Sequence, residues 1–569
     1  MTIISGMPVV AGQEERELPD RADRAGGHDH ADRADERDQP AARRPWEAPV
    51  ARASRLWAED GPFLVLLAAT FVFCLFLLRP GHDWGDDFSL YINQARALVK
   101  GEVQEVYRQN QFTVDNSAWQ SFSPYTYGWG FPLLLAPLYA LFGLSFTAFK
   151  LLEVVLYLGF LTGFYVLIRD RIDRLGAVLI IAALALDNLY TAWTNTVLTE
   201  FPFLCFSVLG LLAIESTHRA DRLARRPPGI GLLAALFGTG ALIGFTTNIR
   251  NEGIVLLGAL AARQLVVLYE HRRDWAGTWI ARLATLGLPW LGAAAVGLGI
   301  RALLPTDAGR ALTLSGGLGG HNFETNDGFY RQTMAELLAI KDKMHGTVLL
   351  GLIVFLLVLA LGGMLLGGRR DLPLSVFTVG LATIYLVLPY REGRYLLGVV
   401  PFLLYFAAQG LRGADIRRWP IQARHVLLLV LVALHGLGMA NASDYWRTYP
   451  RAIEGPSSAA SQEMFTAVNT FTGPDDTIVF FRPRALNLFT DRDAITAGSS
   501  LPVLLERGDW YAMAKASEYA QCALTDDEAA ATGHITKVWE NEAWVLWQVQ
   551  RLGGAPLPAV ALDVSTCRL

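Results

Sequence analysis

Phe131-Pro132-Leu133-Leu134-Leu135-Ala136-Pro137-Leu138-Tyr139-Ala140-Leu141-Phe142 is apolar throughout, yet it is only twelve residues long and carries two prolines. A helix needs about 20 residues to cross roughly 30 Å of hydrocarbon. This stretch is too short for that and suits a helix lying along the interface. Its reading fixes the sidedness of everything that follows. Longer apolar blocks lie near 62–79, 145–168, 175–193, 198–215, 230–248, 253–269, 280–303, 347–367, 373–389, 395–410 and 424–440. With 131–142 left out of the count, Arg169/Arg171/Arg174, Arg219/Arg222/Arg225/Arg226, Arg272/Arg273, Arg369/Arg370 and Arg412/Arg417/Arg418 all fall on the side of the N-terminus. That is what the positive-inside rule asks for. With it counted in, every cluster flips outward. The sequence therefore predicts a polytopic α-helical membrane protein of about eleven spans, with a cytoplasmic N-terminus and an extracytoplasmic C-terminal domain.

Composition agrees with that class. The chain has 569 residues, of which 52% are hydrophobic, and a mean hydropathy of +0.30, too apolar for an ordinary soluble protein. A net charge of -4 gives no basic face for nucleic acid. No Walker, dinucleotide-binding or zinc spacing is present, which argues against ATP-driven transport. Residues 1–56 are rich in Asp, Arg, His, Ala and Pro and read as a disordered cytoplasmic tail. Residues 57–440 form the membrane domain, with a first outer loop at 80–130. Residues 441–569 read as a small soluble α/β domain, with strands over 477–481 and 542–549.

Counted this way, the polar groups that interrupt the apolar texture gather on one side. Loop 80–130, Glu200, the Asn248–Glu252 turn, loop 304–346 and the Tyr390–Tyr395 turn all lie outside. Charges at membrane depth are costly and are as a rule paired or functional. In the run Gly81-His82-Asp83-Trp84-Gly85-Asp86-Asp87-Phe88-Ser89-Leu90-Tyr91-Ile92-Asn93-Gln94-Ala95-Arg96, the residues Phe88, Tyr91, Ile92 and Ala95 fall at helical spacing. The run reads as an amphipathic helix on the membrane surface, headed by two carboxylates. An Asp in a first turn caps free amides and complements the helix dipole. Two adjacent carboxylates exceed that need, and the surplus one is a candidate general base. An enzyme on the outer face meets neither nucleotide sugar nor ATP, so it must take its activated group from a lipid.

Asp86-Asp87 with Tyr91, then Pro124-Tyr125 and Gly130-Phe131-Pro132-Leu133, then Thr199-Glu200-Phe201-Pro202, and then Glu392-Gly393-Arg394-Tyr395-Leu396 share one side of the membrane. In that order they resemble the GT-C glycosyltransferases over roughly residues 57–440. The nearest resemblance is to the bacterial branch similar to protein O-mannosyltransferases and to the aminoarabinose transferase of lipid A. Val479-Phe480-Phe481-Arg482-Pro483-Arg484-Ala485-Leu486 resembles a stretch common in the outer tail of that branch.

The resemblance implies a hexosyl- or pentosyltransferase of the bacterial cytoplasmic membrane. Its donor would be a polyprenyl-phosphate-linked sugar and its acceptor a hydroxyl of a lipid, polysaccharide or protein, with inversion at the anomeric carbon. The residue types suit that chemistry. A glycosidase needs two carboxylates because its alkoxide leaving group must be protonated, whereas a polyprenyl phosphate leaves as a stable anion, so one base suffices. Asp86 matches the first acidic position of the family's pair. Asp87 stands four residues before Tyr91, a spacing frequent among relatives, and Asp83 is a third candidate. Arg391 and Arg394, beside Tyr395, have the guanidinium forks that bind phosphate bidentately, or they snorkel at the interface. Arg250 is similar to a basic position of the family, or forms an ion pair with Glu252. Glu200, Tyr91 and Tyr125 are assigned to the acceptor side of the cavity. Some members use a divalent metal, but the scattered carboxylates here predict none.

Two further readings stay beside this one. A secondary transporter would show inverted repeats and broken helices, neither of which is evident, and other lipid-linked glycan-handling proteins usually carry their large outer loop late in the chain. In the tail, Cys522 and Cys567 share an oxidising compartment and are expected to bridge.

Overall fold

In the computed structural model of the protein, the described residues are 47–118, 124–218, 229–271, 278–307, 320–338, 346–388, 391–414, 421–448, 452–516 and 519–554. Contacts divide the chain between Glu59 and Asp60. Of the first unit only residues 47–59 are described, as the opening turns of helix Glu47–Leu77. The remaining architecture belongs to the second unit.

Among the described residues eight helices are long and apolar enough to cross a membrane: Asp60–Leu77, Phe146–Ile168, Glu200–Thr217, Ile230–Ile249, Asn251–Glu270, Trp279–Leu303, Leu350–Val387 and Ala423–Asn441. The chain is a multi-pass membrane protein. Eleven crossings were expected, and the difference has local causes. The 38 residues of Leu350–Val387 take in both 347–367 and 373–389, with the backbone leaving helical geometry at Gly368 (φ 52°, ψ -136°). The expected span 175–193 stops early, as the 12-residue helix Arg174–Ala185. Asp187 then accepts from the amides of Leu189 and Tyr190 at 2.7 and 3.4 Å and starts a new helix, Asn188–Trp193. The expected span 395–410 begins as a 3₁₀ turn, Gly393–Gly398, and becomes α-helical only over the 11 residues Val400–Gly410, where Pro401 suits a helix start.

The short stretch on which the expected sidedness rests is a 13-residue helix, Gly130–Phe142. It buries Phe131 and Leu135 against the loop helix Asp86–Lys100 and leaves Leu141 and Phe142 exposed. Helices Ile230–Ile249 and Trp279–Leu303 pack almost backbone to backbone. A Cβ on Gly240 would stand 1.8 Å from the Pro289 carbonyl oxygen, and one on Gly292 would stand 2.1 Å from that of Phe237. Small residues at such a crossing let membrane helices associate by van der Waals contact. Gly240→Leu is expected to force the pair apart at a cost of about 1–3 kcal/mol or more, read as a lower melting temperature of the detergent-solubilised protein. This pair holds the turn at Arg250 in place.

Beyond the last long helix, β1 (Ile478–Val479), β2 (Ala494–Ile495), β3 (Trp510–Ala514), β4 (Ile535–Glu540) and β5 (Trp544–Val549) form one sheet in the order β2-β1-β3-β5-β4. β1 runs parallel to β2 and β3, while β5 is antiparallel to β3 and β4. The predicted strands at 477–481 and 542–549 contain β1 and β5. Alternation along β5 sends Trp544 and Leu546 to one face, under helix Ala459–Phe471, and Val545 and Trp547 to the other, over helix Leu501–Arg507. Trp84, in the loop after helix Glu47–Leu77, enters the former face, with ring centroids 5.2 to 6.2 Å from Phe465, Phe480, Phe481 and Trp544. Asn93 Nδ2 donates to Asn487 Oδ1 at 2.9 Å and Arg96 pairs with Asp491 at 2.6 Å, so loop and tail are docked along their length. Cys522 is buried in this domain. Cys567, its expected partner, lies outside the described residues.

Candidate active site

Helix Asp86–Lys100 starts after an extended Gly85 whose position makes no side-chain cap. Asp86 and Asp87 are the first two helical residues, and successive side chains diverge by about 100° around a helix. They meet different partners. Asp86, 10% exposed, turns to the tail: its Oδ1 accepts from the Arg484 amide at 3.1 Å and its Oδ2 lies 3.6 Å from Arg482 Nη1. Arg484 is the second residue of helix Pro483–Thr490, so Asp86 serves the free N-terminus of a helix in the other domain. Burial pushes the Asp86 carboxyl above the usual range, although Arg482 and Arg484 pull against it.

Asp87 turns the opposite way. Its Oδ1 accepts from the Tyr127 hydroxyl at 2.5 Å and its Oδ2 from Arg394 Nη2 at 2.9 Å, and its side chain keeps 34% exposure. Burial raises the Asp87 carboxyl, but the Arg394 charge, the Tyr127 hydroxyl and the Arg394 hydrogen bond together outweigh it and hold the group below the usual range. Asp87 is therefore a carboxylate at neutral pH.

The arginines are shared among carboxylates. Arg394 Nε lies 3.5 Å from Glu200 Oε1, and Arg250 Nη1 donates to the same oxygen at 2.7 Å while its Nη2 donates to Glu252 Oε1 at 2.8 Å. The Tyr395 ring lies under Arg250, 5.0 Å from the guanidinium carbon. Gly128 lets the 124–129 segment lie against this turn, since a Cβ there would stand 2.2 Å from the Asn248 carbonyl oxygen. Among the described residues, Arg394 Nε and Glu200 Oε2 are buried with no hydrogen-bond partner. A buried guanidinium nitrogen without a hydrogen-bond partner is costly unless a ligand completes it.

Asp87, Tyr91, Glu200, Arg250, Arg394 and Tyr395 line one cavity of about 300 Å³. The sequence named all six. Four other candidates fall elsewhere. Asp86 is committed to the tail. Asp83 is exposed and accepts from the Trp84 amide at 2.8 Å. Tyr125 donates to Asp115 at 2.6 Å while its amide bonds Asp307, and the neighbouring Pro124 lines the cavity instead. Arg391 is exposed and does not line the cavity. Arg250 does form the ion pair with Glu252 that was its alternative reading. Tyr127 was missed, and so was the contact of Arg484, although the stretch containing Arg484 had been noticed. Among the described residues no group of three or more His, Cys, Asp or Glu side chains is placed to hold a metal ion.

This fold is similar to that of ArnT from Cupriavidus metallidurans bound to undecaprenyl phosphate. The TM-score is 0.51 at 13% identity, over 86% of this chain and 98% of that one. The chain has the GT-C glycosyltransferase fold. The apo state of the same ArnT aligns to this chain with a TM-score of 0.50 at 13% identity, over the same shares of the two chains. Arabinofuranosyltransferase AftD from Mycobacteria aligns with a TM-score of 0.48 at 14% identity, over 85% of this chain and 41% of that one. No family model matches the chain, and no curated protein matches it by sequence.

Proposed function

We propose that this protein transfers a hexosyl or pentosyl group from a polyprenyl-phosphate donor to an acceptor hydroxyl at the outer face of the bacterial cytoplasmic membrane, with inversion. The observation that carries the reading is the Asp87–Arg394 pair: one ionised carboxylate and one guanidinium fork side by side in a polar cavity at the head of the membrane helices. The undecaprenyl phosphate bound by the similar ArnT supports the class of donor.

In this reading Arg394 and Arg250 receive the donor phosphate, and Asp87 is the base. The acceptor oxygen bonds to the anomeric carbon as its proton passes to Asp87. The bond from that carbon to the phosphate oxygen breaks, and polyprenyl phosphate leaves with the electron pair. Glu200, touching both arginines, fixes their spacing, and Tyr395 walls the phosphate side. A phosphate that draws Arg394 toward itself also takes from Asp87 the charge that lowers its proton affinity, so donor binding makes Asp87 a stronger base.

The test is turnover of undecaprenyl-phosphate-linked labelled hexoses and pentoses by the full chain in proteoliposomes. Free undecaprenyl phosphate should accumulate as label moves to acceptor or to water. A folded protein that turns over none of these donors would sink the transferase reading.

A further inference from the structure

We propose that Arg484, contributed by the tail domain, is a positioning residue of the site: by donating to the Tyr127 hydroxyl oxygen it directs that hydroxyl's one proton onto Asp87 Oδ1. The inference rests on the reading of Asp87 as the base.

The argument is one of donors and acceptors. A guanidinium only donates, whereas a phenol has one proton to give and lone pairs to receive. Arg484 Nη1 stands 3.2 Å from the Tyr127 oxygen, and that oxygen stands 2.5 Å from Asp87 Oδ1. With Arg484 donating, the Tyr127 proton has a single carboxylate destination. Oδ1 is then occupied, and Oδ2, facing Arg394, is the oxygen that takes the acceptor proton once phosphate engages Arg394.

Arg484 is held more firmly than docking alone requires. Its side chain is buried, Nε donates to Asn110 Oδ1 at 2.7 Å, Nη2 donates to the Pro124 carbonyl at 2.8 Å, and its own amide is the one that Asp86 accepts. The guanidinium also lies over the Tyr127 ring, 5.3 Å from its centroid. Every group is therefore fixed from the tail inward: Asp86 seats the helix, the helix aims Arg484, Arg484 orients Tyr127, and Tyr127 addresses Asp87. The charged and titratable groups facing Asp87 are Arg394 with Glu200 and Arg250 behind it, Tyr127 and Arg484 from the segments packed above, and Asp86 and Tyr91 on its own helix.

The experiment follows Asp87 without relying on turnover. Carbodiimide couples to protonated carboxyls, so the pH midpoint of Asp87 labelling, read by fragment mass spectrometry on the full chain in nanodiscs, reports its proton affinity. Arg484→Met and Tyr127→Phe are each expected to move the midpoint upward, with Arg484→Lys falling between Arg484→Met and wild type. Where turnover is measurable, kcat should fall roughly tenfold with KM for an undecaprenyl-phosphate-linked sugar little changed, the scale of one hydrogen bond to a charged group. A folded Arg484→Met whose melting temperature drops while its midpoint stays at the wild-type value makes Arg484 a docking residue and overturns the proposal. Should Arg484→Met fail to fold, Arg484→Lys is read by the same criterion, because an ammonium cannot serve Asn110, Pro124 and Tyr127 together. A shifted midpoint in a protein that turns over no donor supports the positioning while rejecting the transferase reading.

Discussion

Asp87→Asn is expected to lower sugar transfer by roughly 10²- to 10⁴-fold at unchanged expression, the range that a positioned general base contributes. An asparagine in that place is isosteric, but its single oxygen accepts from only one of Tyr127 and Arg394 while its Nδ2 cannot accept from the other, so a melting temperature measured beside transfer separates lost stability from lost proton acceptance. Asp86→Asn, made in parallel, should keep transfer within about tenfold. Its cost falls instead on the seating of helix Pro483–Thr490, about 1 kcal/mol by the scale of N-terminal helix contacts, and appears as a lower melting temperature. The reverse pattern, with Asp86→Asn inactive and Asp87→Asn active, would exchange the two roles. The pH profile adds a sign. Because the Asp87 carboxyl is held below the usual range, kcat/KM, which reports the free enzyme, should stay level through neutral pH and fall only as pH drops through that lowered value. In the complex phosphate has drawn Arg394 away, so the acid limb of kcat should lie at higher pH than that of kcat/KM. Coincident limbs would mean that donor binding leaves the base untouched.

Arg394→Met is expected to have the second largest effect, on stability and donor affinity together. It takes from Asp87 its guanidinium partner and leaves Glu200 to Arg250 alone. Breaking a buried ion pair costs about 3–5 kcal/mol, and because Asp87 keeps a third of its exposure the lower end applies. KM for donor should rise by about 10- to 100-fold, the worth of one charge-assisted contact to phosphate. Arg394→Lys separates the two effects, since it retains the charge that steadies the carboxylates but not the fork that grips a phosphate. Its melting temperature should lie near that of wild type while KM stays high. An Arg394→Lys variant with the KM of wild type would remove Arg394 from the phosphate site.

The membrane fold was legible because hydrocarbon thickness imposes a length on every apolar run, while the expected sidedness rested on one short run, 131–142. Sidedness in turn gathered Asp87, Tyr91, Glu200, Arg250, Arg394 and Tyr395, which do share a cavity. What the sequence left open was the choice between neighbours. Asp86 and Asp87 differ by one step around a helix, and the group that claims Asp86 lies 398 positions along the chain. Arg391 and Arg394 sit three residues apart, one before the 3₁₀ turn in solvent and one inside it against Glu200. The expected crossings 175–193 and 395–410 contain breaks, the Asp187 cap and the 3₁₀ turn, over which hydropathy averages.

The bond between Asp86 and the Arg484 amide also sets an order of events. A ribosome delivers the first outer loop early, and helix after helix enters the bilayer before the tail is made. Throughout that interval the Tyr127 hydroxyl has no Arg484 beside it. Under the proposed roles of Asp87 and Arg484, full competence arrives last, when the final fifth of the polypeptide has been made and folded, and a product terminated after residue 448 should turn over donor at least about tenfold more slowly than the full chain.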